Sequence, residues 1–321
     1  TEAIYDFLNF KIKKKIRFYN NLNSKIDLKS KKKALNLVVS KSGNTLETIS
    51  NFNLIHNFNR KNKNLVITEN KSSFLNELAK KLRAEVIEHK NYIGGRYSVL
   101  SEVGMLPAQL LGLNERKFKR LNNLIKNKNF LEELICNVNF IFKCISSGKK
   151  NSVILNYDEN SENLFKWYQQ LTAESLGKKN KGIFPIISPM PKDNHSLLQL
   201  YLDGPKNNFF TFFGIQNEKT NKLSNKNLFD KFSILKNKNL DQIIQAQRLA
   251  TQTVFRRKNI PFRSFEVFKR NEEAIGELFS FFVLETILLG RLMKVNPFDQ
   301  PSVELIKTCL LYTSPSPRDD V

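Results

Sequence analysis

The sequence predicts an α/β protein with two doubly wound units, in each of which a parallel sheet lies between two layers of helices. Short apolar segments, typical of buried parallel strands, alternate with segments whose apolar residues recur at helical spacing. This alternation occupies the first part of the chain and begins again at Val153. Because strand–helix–strand units place their strands in parallel with right-handed crossovers, we expect two open three-layer α/β/α sheets.

The first unit is predicted as a series of short helices and strands. In chain order these are a helix at 3–13, strands at 16–20 and 35–39, a helix at 46–57, a strand at 65–68, a helix at 74–82 and a strand at 85–88. Residues 110–146 are apolar at helical spacing and are predicted as a long helical segment that leads to the second unit.

The second unit is predicted to repeat this pattern. Its elements are a strand at 153–157, a helix at 160–176, strands at 183–187 and 209–215 on either side of a helix with His195, a helix at 240–257, a strand at 261–268 and a helix at 272–295. Ligands of open parallel sheets bind at the carboxyl ends of the strands, so the functional residues are expected at those ends.

Composition favours a globular protein of about two domains. A chain of 321 residues with 40% hydrophobic residues and 26 Phe can bury a full core. The longest apolar run, at 279–289, is interrupted by Ser280 and Glu285 and is too short to span a bilayer. Three cysteines cannot form a disulfide framework, so we expect a reducing, cytoplasmic location.

The net charge of +22 raises the alternative of nucleic-acid binding. The basic residues are dispersed and interleaved with Asn, as at 59–64, whereas nucleic-acid surfaces cluster Arg and aromatic residues on one face. We therefore expect a solvated basic surface that attracts small anions, with no nucleic-acid partner and no membrane contact.

A loop with several hydroxyl groups follows the strand at 35–39 and precedes the helix at 46–57. Its hydroxyls and backbone N–H groups lie where the helix dipole is positive, which predicts a phosphate site. The residues expected to bind phosphate are Ser40, Lys41, Ser42, Thr45 and Thr48. The spacing matches neither the P-loop nor the dinucleotide GxGxxG pattern, which disfavours ATP and NAD. Ordinary helix capping by Asn44 or Thr45 is the alternative, and it is compatible with phosphate binding.

This loop resembles the phosphosugar loop of the sugar isomerase (SIS) domain, and four further segments resemble the glucose-6-phosphate isomerase family in the family's order. These segments are Asn-Tyr-Ile-Gly-Gly-Arg-Tyr-Ser at 91–98, Thr-Ala-Glu-Ser-Leu-Gly-Lys at 172–178, Asp-Asn-His-Ser at 193–196 followed by Gln199, and Asn-Pro-Phe-Asp-Gln at 296–300 followed by Lys307. The resemblance covers nearly the whole chain and implies two SIS-type, flavodoxin-like units.

The resemblance implies an enzyme of glycolysis and gluconeogenesis that interconverts glucose 6-phosphate and fructose 6-phosphate through ring opening and a cis-enediol. Glu174 would move the proton between C1 and C2, and His195 would open the ring with help from Lys307. Arg96 would stabilise the enediolate, and Gln300 would hydrogen-bond near the reacting carbons. This route requires no cofactor and no metal, and the three histidines show no metal-ligand spacing.

The residues alone leave simpler roles open for three of these positions. Without the resemblance, Glu174 is more simply a helix-end carboxylate near Lys178 and Lys179, and Arg96 is more simply a surface arginine beside a flexible turn. His195 is equally a residue at a helix N-terminus capped by Asn194. In the family this histidine reaches the active site of the neighbouring subunit, which implies a homodimer with shared active sites.

The resemblance also predicts where the domains begin and end. We expect a first SIS domain at 1–112, a helical linker at 113–150 and a second SIS domain at 151–307. Residue 1 aligns just after a Gly-Gly-Ser loop of the family that contributes to phosphate binding, so we expect an N-terminal truncation. Residues 308–321 do not fit the helix that the family has there and are expected to be a non-native or disordered tail. Ile306 stands where the family usually has Gly.

Two other functions remain open. A non-catalytic SIS module that senses a sugar phosphate would keep the hydroxyl loop but would not need Glu174, Arg96, His195 and Lys307 together. A broader isomerase that also accepts mannose 6-phosphate would use the same base and the same loop, so the sequence separates it poorly from the glucose-specific enzyme.

Overall fold

The computed structural model describes residues 1–22, 33–58, 60–216, 220–224, 234–303, 305–306 and 309. Two compact units divide the chain: unit 1 is Thr1–Leu124 with Lys269–Ser280, and unit 2 is Ile125–Phe268 with Phe281–Val321. Within the described ranges, no helix is both long enough and apolar enough to cross a membrane. The predicted domain boundaries at 112, 150 and 307 stay predictions.

Helices and strands alternate along most of the described chain. The strands are β1 Leu35–Val39, β2 Lys63–Thr68, β3 Glu85–Glu88, β4 Asn151–Asn156, β5 Phe184–Pro189, β6 Asn208–Ile215 and β7 Phe262–Val267. The helices are α1 Glu2–Phe7, α2 Leu46–Phe58, α3 Phe74–Leu82, α4 Glu102–Leu110, α5 Glu115–Phe118, α6 Leu121–Leu124, α7 Lys128–Ser146, α8 Glu162–Leu176, α9 Leu198–Asp203, α10 Leu240–Arg257 and α11 Glu272–Leu292.

The sheet of unit 1 has three parallel strands in the order β1-β2-β3. Val38 of β1 and Val66 of β2 are paired in register and are buried in one cluster with Phe52 of α2 and with Leu75 and Ala79 of α3. This cluster fixes α2 and α3 against the sheet, and it places the loop between β1 and α2 at the carboxyl end of the sheet.

The sheet of unit 2 has four parallel strands in the order β5-β4-β6-β7. Its centre is β6, in which Phe209, Phe210, Phe212 and Phe213 are all buried, so that both faces of this strand contact apolar side chains. Strands covered on both faces are typical of parallel sheets between helical layers. The predicted α/β class with parallel sheets is confirmed in both units.

The prediction of a strand at 16–20 is wrong. Residues 15–20 have no regular secondary structure. The Phe18 ring packs edge-on against Tyr5 at 5.6 Å between centroids, and the Tyr19 carbonyl accepts a hydrogen bond from the Asn51 side chain. The segment therefore contacts α1 through Tyr5 and α2 through Asn51 instead of forming a strand.

The prediction of one long helical segment at 110–146 is also wrong in part. α4 ends at Leu110, Gly112 adopts a left-handed φ of 88°, and two short helices precede α7. Asn114 caps α5 by accepting a hydrogen bond from the Arg116 N–H at 3.1 Å, and Asn127 caps α7 in the same way. Each Asn side chain therefore begins a new helix where the apolar spacing alone suggests a continuous one.

The predicted first helix is shorter than expected, because α1 ends at Phe7 and a 3₁₀ turn follows at Asn9–Lys11. The last predicted helix likewise ends at Leu292 rather than at residue 295. The predicted tail lies outside the described residues, apart from residue 309.

Candidate active site

The predicted phosphate loop is a tight turn held by its own hydroxyl groups. The hydroxyls of Ser40 and Thr45 are 2.7 Å apart, and the Ser40 hydroxyl accepts a hydrogen bond from the Gly43 N–H at 3.2 Å. The Asn44 N–H donates to the Ser42 hydroxyl at 3.2 Å. Three of the predicted hydroxyl groups therefore lie together at the carboxyl end of β1.

Gly43 allows this turn to form. Its φ of 71° is in the left-handed region, and a Cβ at this position would lie only 2.3 Å from the Ser73 hydroxyl oxygen. The Gly43 carbonyl accepts from the Leu75 N–H at 3.1 Å, and the Asn44 side chain accepts from the Phe74 N–H at 2.9 Å. The Asn44 side chain thus contacts the start of α3.

The first turn of α2 follows the hydroxyl loop directly. The Thr45 carbonyl accepts the Ile49 N–H at 3.0 Å. The backbone N–H groups of a helix's first turn have no partner within the helix, and they favour an anion. Thr48 is half-buried on this turn, whereas Glu47 is exposed, so the carboxylate of Glu47 extends into solvent. The arrangement suits a phosphate group.

The side chain of Lys41 connects the phosphate loop to the loop after β3. Its ammonium nitrogen is 2.9 Å from the carbonyl oxygens of both Asn91 and Ile93. It is also 3.6 Å from the buried carboxylate of Glu69, which Lys71 contacts at 2.5 Å. Burial by itself would raise the pKa of Glu69, but the two lysines outweigh burial and hold the pKa below its usual range.

Arg96 lies in the 3₁₀ turn Gly95–Leu100, which follows the same loop. Only 3% of its surface is exposed, so the alternative of a surface arginine is wrong. Its guanidinium carbon is 5.2 Å from the centre of the Tyr97 ring, and the Ser98 hydroxyl donates to the Gly95 carbonyl at 2.6 Å. A permanently charged group is therefore held inside unit 1, in the unit that has the phosphate loop.

His89 is a buried residue of this region that sequence reasoning missed. It follows β3 and is 1% exposed. One ring nitrogen, Nδ1, contacts the Glu102 carboxylate, and the other, Nε2, is 3.1 Å from the Ile93 carbonyl oxygen. The sequence offers no signal for this contact, because His89 and Glu102 are 13 residues apart in the chain and belong to no motif.

Glu174, the predicted base, is half-buried near the C-terminal end of α8. Its Oε1 accepts a hydrogen bond from the Gln170 amide one turn earlier at 2.9 Å. The Lys178 ammonium is 2.6 Å from both the carbonyl oxygen and Oδ1 of Asp299. Lys178 therefore joins the end of the Glu174 helix to the segment that leads to Gln300.

His195 lies between a 3₁₀ turn at Lys192–Asn194 and α9, and its side chain is exposed. The buried carboxylate of Asp193 accepts hydrogen bonds from the Ser188 hydroxyl at 2.6 Å and the Ser196 hydroxyl at 2.8 Å, which fixes this turn. The N-cap of α9 is Leu197, so the alternative in which Asn194 caps the His195 helix is wrong.

The two remaining predicted residues lie near the end of the described chain. Gln300 is half-buried, and its carbonyl accepts a hydrogen bond from the Val303 N–H at 3.2 Å. Lys307 lies outside the described residues. The structure thus brings together the hydroxyl loop and the Arg96 loop in unit 1, and the Glu174 helix and the Gln300 segment in unit 2.

Comparison of the sequence with known proteins identifies one family. The model of the phosphoglucose isomerase family matches residues 19–320. A probable glucose-6-phosphate isomerase of Methanococcus maripaludis is 33% identical over 89% of this chain and 66% of that protein. Glucose-6-phosphate isomerase of Methanocaldococcus jannaschii is 32% identical over 83% of this chain and 68% of that protein. The chain spans about two thirds of the length of these relatives.

Two solved structures superpose on most of this chain. A hypothetical protein from Thermus thermophilus superposes with a TM-score of 0.77 and 24% identity over 86% of this chain and 70% of that chain. A glucose-6-phosphate isomerase from Chlamydia trachomatis superposes with a TM-score of 0.73 and 20% identity over 98% of this chain and 68% of that chain. At these identities the likeness establishes the fold.

Proposed function

Because this chain belongs to the phosphoglucose isomerase family, a family of aldose–ketose isomerases, we propose that it interconverts glucose 6-phosphate and fructose 6-phosphate. The observation that supports this function most directly is the placement of the hydroxyl loop beside a buried arginine loop in unit 1. The former suits a phosphate group and the latter suits the negative charge of an enediolate.

In this proposal the sugar phosphate binds through its 6-phosphate at the start of α2. The hydroxyls of Ser40, Ser42 and Thr45 donate to the phosphate oxygens, together with Thr48 and the backbone N–H of Lys41. The positive end of the helix dipole and the net charge of +22 both favour this anion. Binding the phosphate fixes one end of an open-chain sugar while its other end reacts.

The proton transfer needs one base that can reach two adjacent carbons. We assign this role to Glu174, whose carboxylate takes the proton from C2 of the open-chain aldose and returns it to C1. The electron pair left on C2 forms the double bond of the cis-enediolate while the C1 carbonyl oxygen becomes negatively charged.

The remaining residues are assigned to ring opening and charge stabilisation. His195 and Lys307 exchange protons with the ring oxygen and the C1 hydroxyl, and Gln300 hydrogen-bonds near the reacting carbons. The guanidinium of Arg96 remains charged throughout and stabilises the enediolate oxygen. None of these steps requires a metal or an organic cofactor.

In this proposal the protein acts as a homodimer in the cytoplasm. The exposed side chain of His195 supports a role in the active site of a neighbouring subunit, because it is accessible from outside unit 2. Within the part of the chain that the structure describes, no disulfide joins two cysteines, which suits a reducing compartment.

The test is the conversion of fructose 6-phosphate to glucose 6-phosphate by the full-length protein, with Glu174→Gln and Glu162→Gln variants. Glu162 is a matched control, because it lies on the same helix and pairs with Lys166 at the surface at 2.8 Å. We expect Glu174→Gln to lower kcat by about 100- to 10,000-fold, as for loss of a general base, and Glu162→Gln to change it little.

The possible results test the isomerase function and the role of Glu174 separately. An inactive wild type would contradict the isomerase function and favour a sugar-phosphate sensor, which binding of fructose 6-phosphate without turnover would then support. An active wild type with an equally active Glu174→Gln variant would keep the isomerase function and remove Glu174 as its base.

A further inference from the structure

The carbonyl oxygen of Ile93 is held by two donors from different parts of unit 1. The Lys41 ammonium, from the phosphate loop, is 2.9 Å from this oxygen, and Nε2 of His89 is 3.1 Å from it. A carbonyl oxygen has two lone pairs, so both contacts can form at once. Lys41 makes a second contact to the Asn91 carbonyl at 2.9 Å, which joins the same loop to the same ammonium.

Ile93 directly precedes the segment Gly94-Gly95-Arg96. A Cβ at Gly95 would meet nothing within 4 Å, so the space beside this glycine is open. Glycine also permits more backbone conformations than other residues. Two hydrogen bonds hold the glycine pair from its C-terminal side: the Tyr97 N–H donates to the Gly94 carbonyl at 2.9 Å, and the Ser98 hydroxyl donates to the Gly95 carbonyl. On the N-terminal side of the pair, the Ile93 carbonyl is held by Lys41 and His89.

The second anchor of this loop is a buried pair rather than a single side chain. Nδ1 of His89 contacts the carboxylate of Glu102 at the start of α4, and His89 is 1% exposed. Both ring nitrogens thus face acceptors, a carboxylate and a carbonyl. Glu102 thereby orients the imidazole ring so that Nε2 faces the Ile93 carbonyl.

We propose, on the basis of the proposed isomerase function, that Lys41, His89 and Glu102 are positioning residues for Arg96. Together they hold the Ile93 carbonyl, and with it the glycine pair, against the phosphate-binding loop. The arginine that stabilises the enediolate is then placed by the same loop that binds the phosphate. None of the three needs to touch the reacting carbons for this role.

The test compares two substitutions of one residue in the full-length protein. The amide nitrogen of a Gln side chain reaches about as far as Nε2 of histidine, whereas that of Asn reaches only about as far as Nδ1. His89→Gln therefore keeps a donor to Ile93, and His89→Asn does not. We expect His89→Asn to lower kcat by about 10- to 100-fold, with KM changed less than about threefold, because the phosphate loop is intact. His89→Gln should retain most of the kcat.

A double-mutant comparison shows whether His89 acts through Arg96. In an Arg96→Lys background, which has already lost the planar guanidinium, we expect His89→Asn to lower kcat by less than about twofold further. A merely structural role for His89 would lower kcat by the same factor in both backgrounds. Lys90→Met is the matched control, because Lys90 is the exposed neighbour of His89. Among the described residues, its only ion pair is the surface contact with Glu88 at 2.9 Å.

The outcomes separate this inference from the isomerase function itself. An inactive wild type would contradict the function. An active wild type would overturn the positioning role if His89→Asn keeps its kcat, or if its loss is as large in the Arg96→Lys background. If His89→Asn fails to fold by circular dichroism, Glu102→Leu is judged by the same two criteria, because it removes the polar contact to Nδ1 that orients the His89 ring.

Discussion

The two sheets of this protein differ in how deeply their strands are buried. In unit 2, β4 and β6 are buried along almost their whole length, and Phe255 packs edge-on against Phe210 and Phe212 at centroid distances of 4.8 and 5.3 Å. In unit 1, most residues of β1 and β3 are half-buried or exposed, and the loops at the carboxyl ends are joined by hydrogen bonds and ion pairs. Apolar burial stabilises unit 2, whereas polar contacts position the loops of unit 1.

Hydrogen–deuterium exchange is the measurement that compares the two sheets directly. Amides of β6 should exchange more slowly than those of β1 and β3, because exchange through local opening follows local burial. Four perturbations test this comparison, and they are ordered by the size of the effect that we expect.

The largest effect is expected from breaking a fully buried polar contact of unit 2. Glu285 is fully buried, contacts the Arg263 guanidinium and accepts a hydrogen bond from the Tyr168 hydroxyl at 2.8 Å. Burial alone would lower the pKa of Arg263, but Glu285 and Tyr168 raise it above its usual value. Glu285→Gln leaves this charge without its carboxylate, and we expect a loss of about 3–5 kcal/mol in the free energy of unfolding by urea.

The control for this change is Glu162→Gln, which breaks the exposed pair with Lys166 and should cost less than about 1 kcal/mol. Equal losses in the free energy of unfolding for the two variants would contradict the expectation that burial makes the Glu285 contact more important than a surface ion pair.

The next effect concerns the turn of the phosphate loop in unit 1. Gly43→Ala places a methyl group 2.3 Å from the Ser73 hydroxyl and requires a left-handed backbone at a residue other than glycine. We expect a loss of about 1–2 kcal/mol from the backbone alone, plus the cost of moving Ser73. Faster amide exchange in β1 and α3, with β6 unchanged, is the expected pattern.

Gly95→Ala is the matched glycine control for stability, because a Cβ there meets nothing within 4 Å and its φ is not in the left-handed region. A stability loss as large as that of Gly43→Ala would show that the geometry of the phosphate turn is not the cause.

A smaller effect is expected when the link between the phosphate loop and α3 is removed. Asn44→Ala removes the acceptor for the Phe74 N–H at 2.9 Å, and loss of such a cap costs about 1 kcal/mol. Urea unfolding measures the loss. Asn57→Ala is the control, because its side chain donates to Asn53 on the exposed face of α2, and we expect a change within about 0.5 kcal/mol.

The smallest effect is expected from acid. Burial favours a higher pKa for Glu69 and Glu272, but lysine contacts hold both below the usual value of 4.5. A carboxyl whose pKa is lower in the folded state stabilises the fold above its unfolded pKa, and this contribution is lost as the pH falls below about 4.5. Urea midpoints should therefore fall with acidification in the wild type, and fall less in Glu69→Gln. An identical pH dependence in Glu69→Gln would contradict this assignment.

The sequence alone determined most of the elements whose pattern is local. β1, α3, β3 and α10 begin and end where the apolar spacing predicts them, because a buried strand or an amphipathic helix needs only its own periodicity to be recognised. The segment at 16–20 has a similar local pattern and is not a strand. Strand formation requires a partner at the sheet edge, and that partner depends on the rest of the fold.

The candidate site also has features that the sequence predicts and contacts that only the structure shows. The hydroxyl loop and the family segments are contiguous in sequence, so the residues around Ser40, Arg96 and Glu174 can be proposed from the sequence alone. The contacts of Lys41 and His89 with the Ile93 carbonyl cannot, because they join side chains from separate loops to a backbone atom that every residue possesses. Only the tertiary structure decides which carbonyl a lysine or histidine side chain reaches, since that choice depends on how the loops pack and not on the identity of the residues that supply the oxygen.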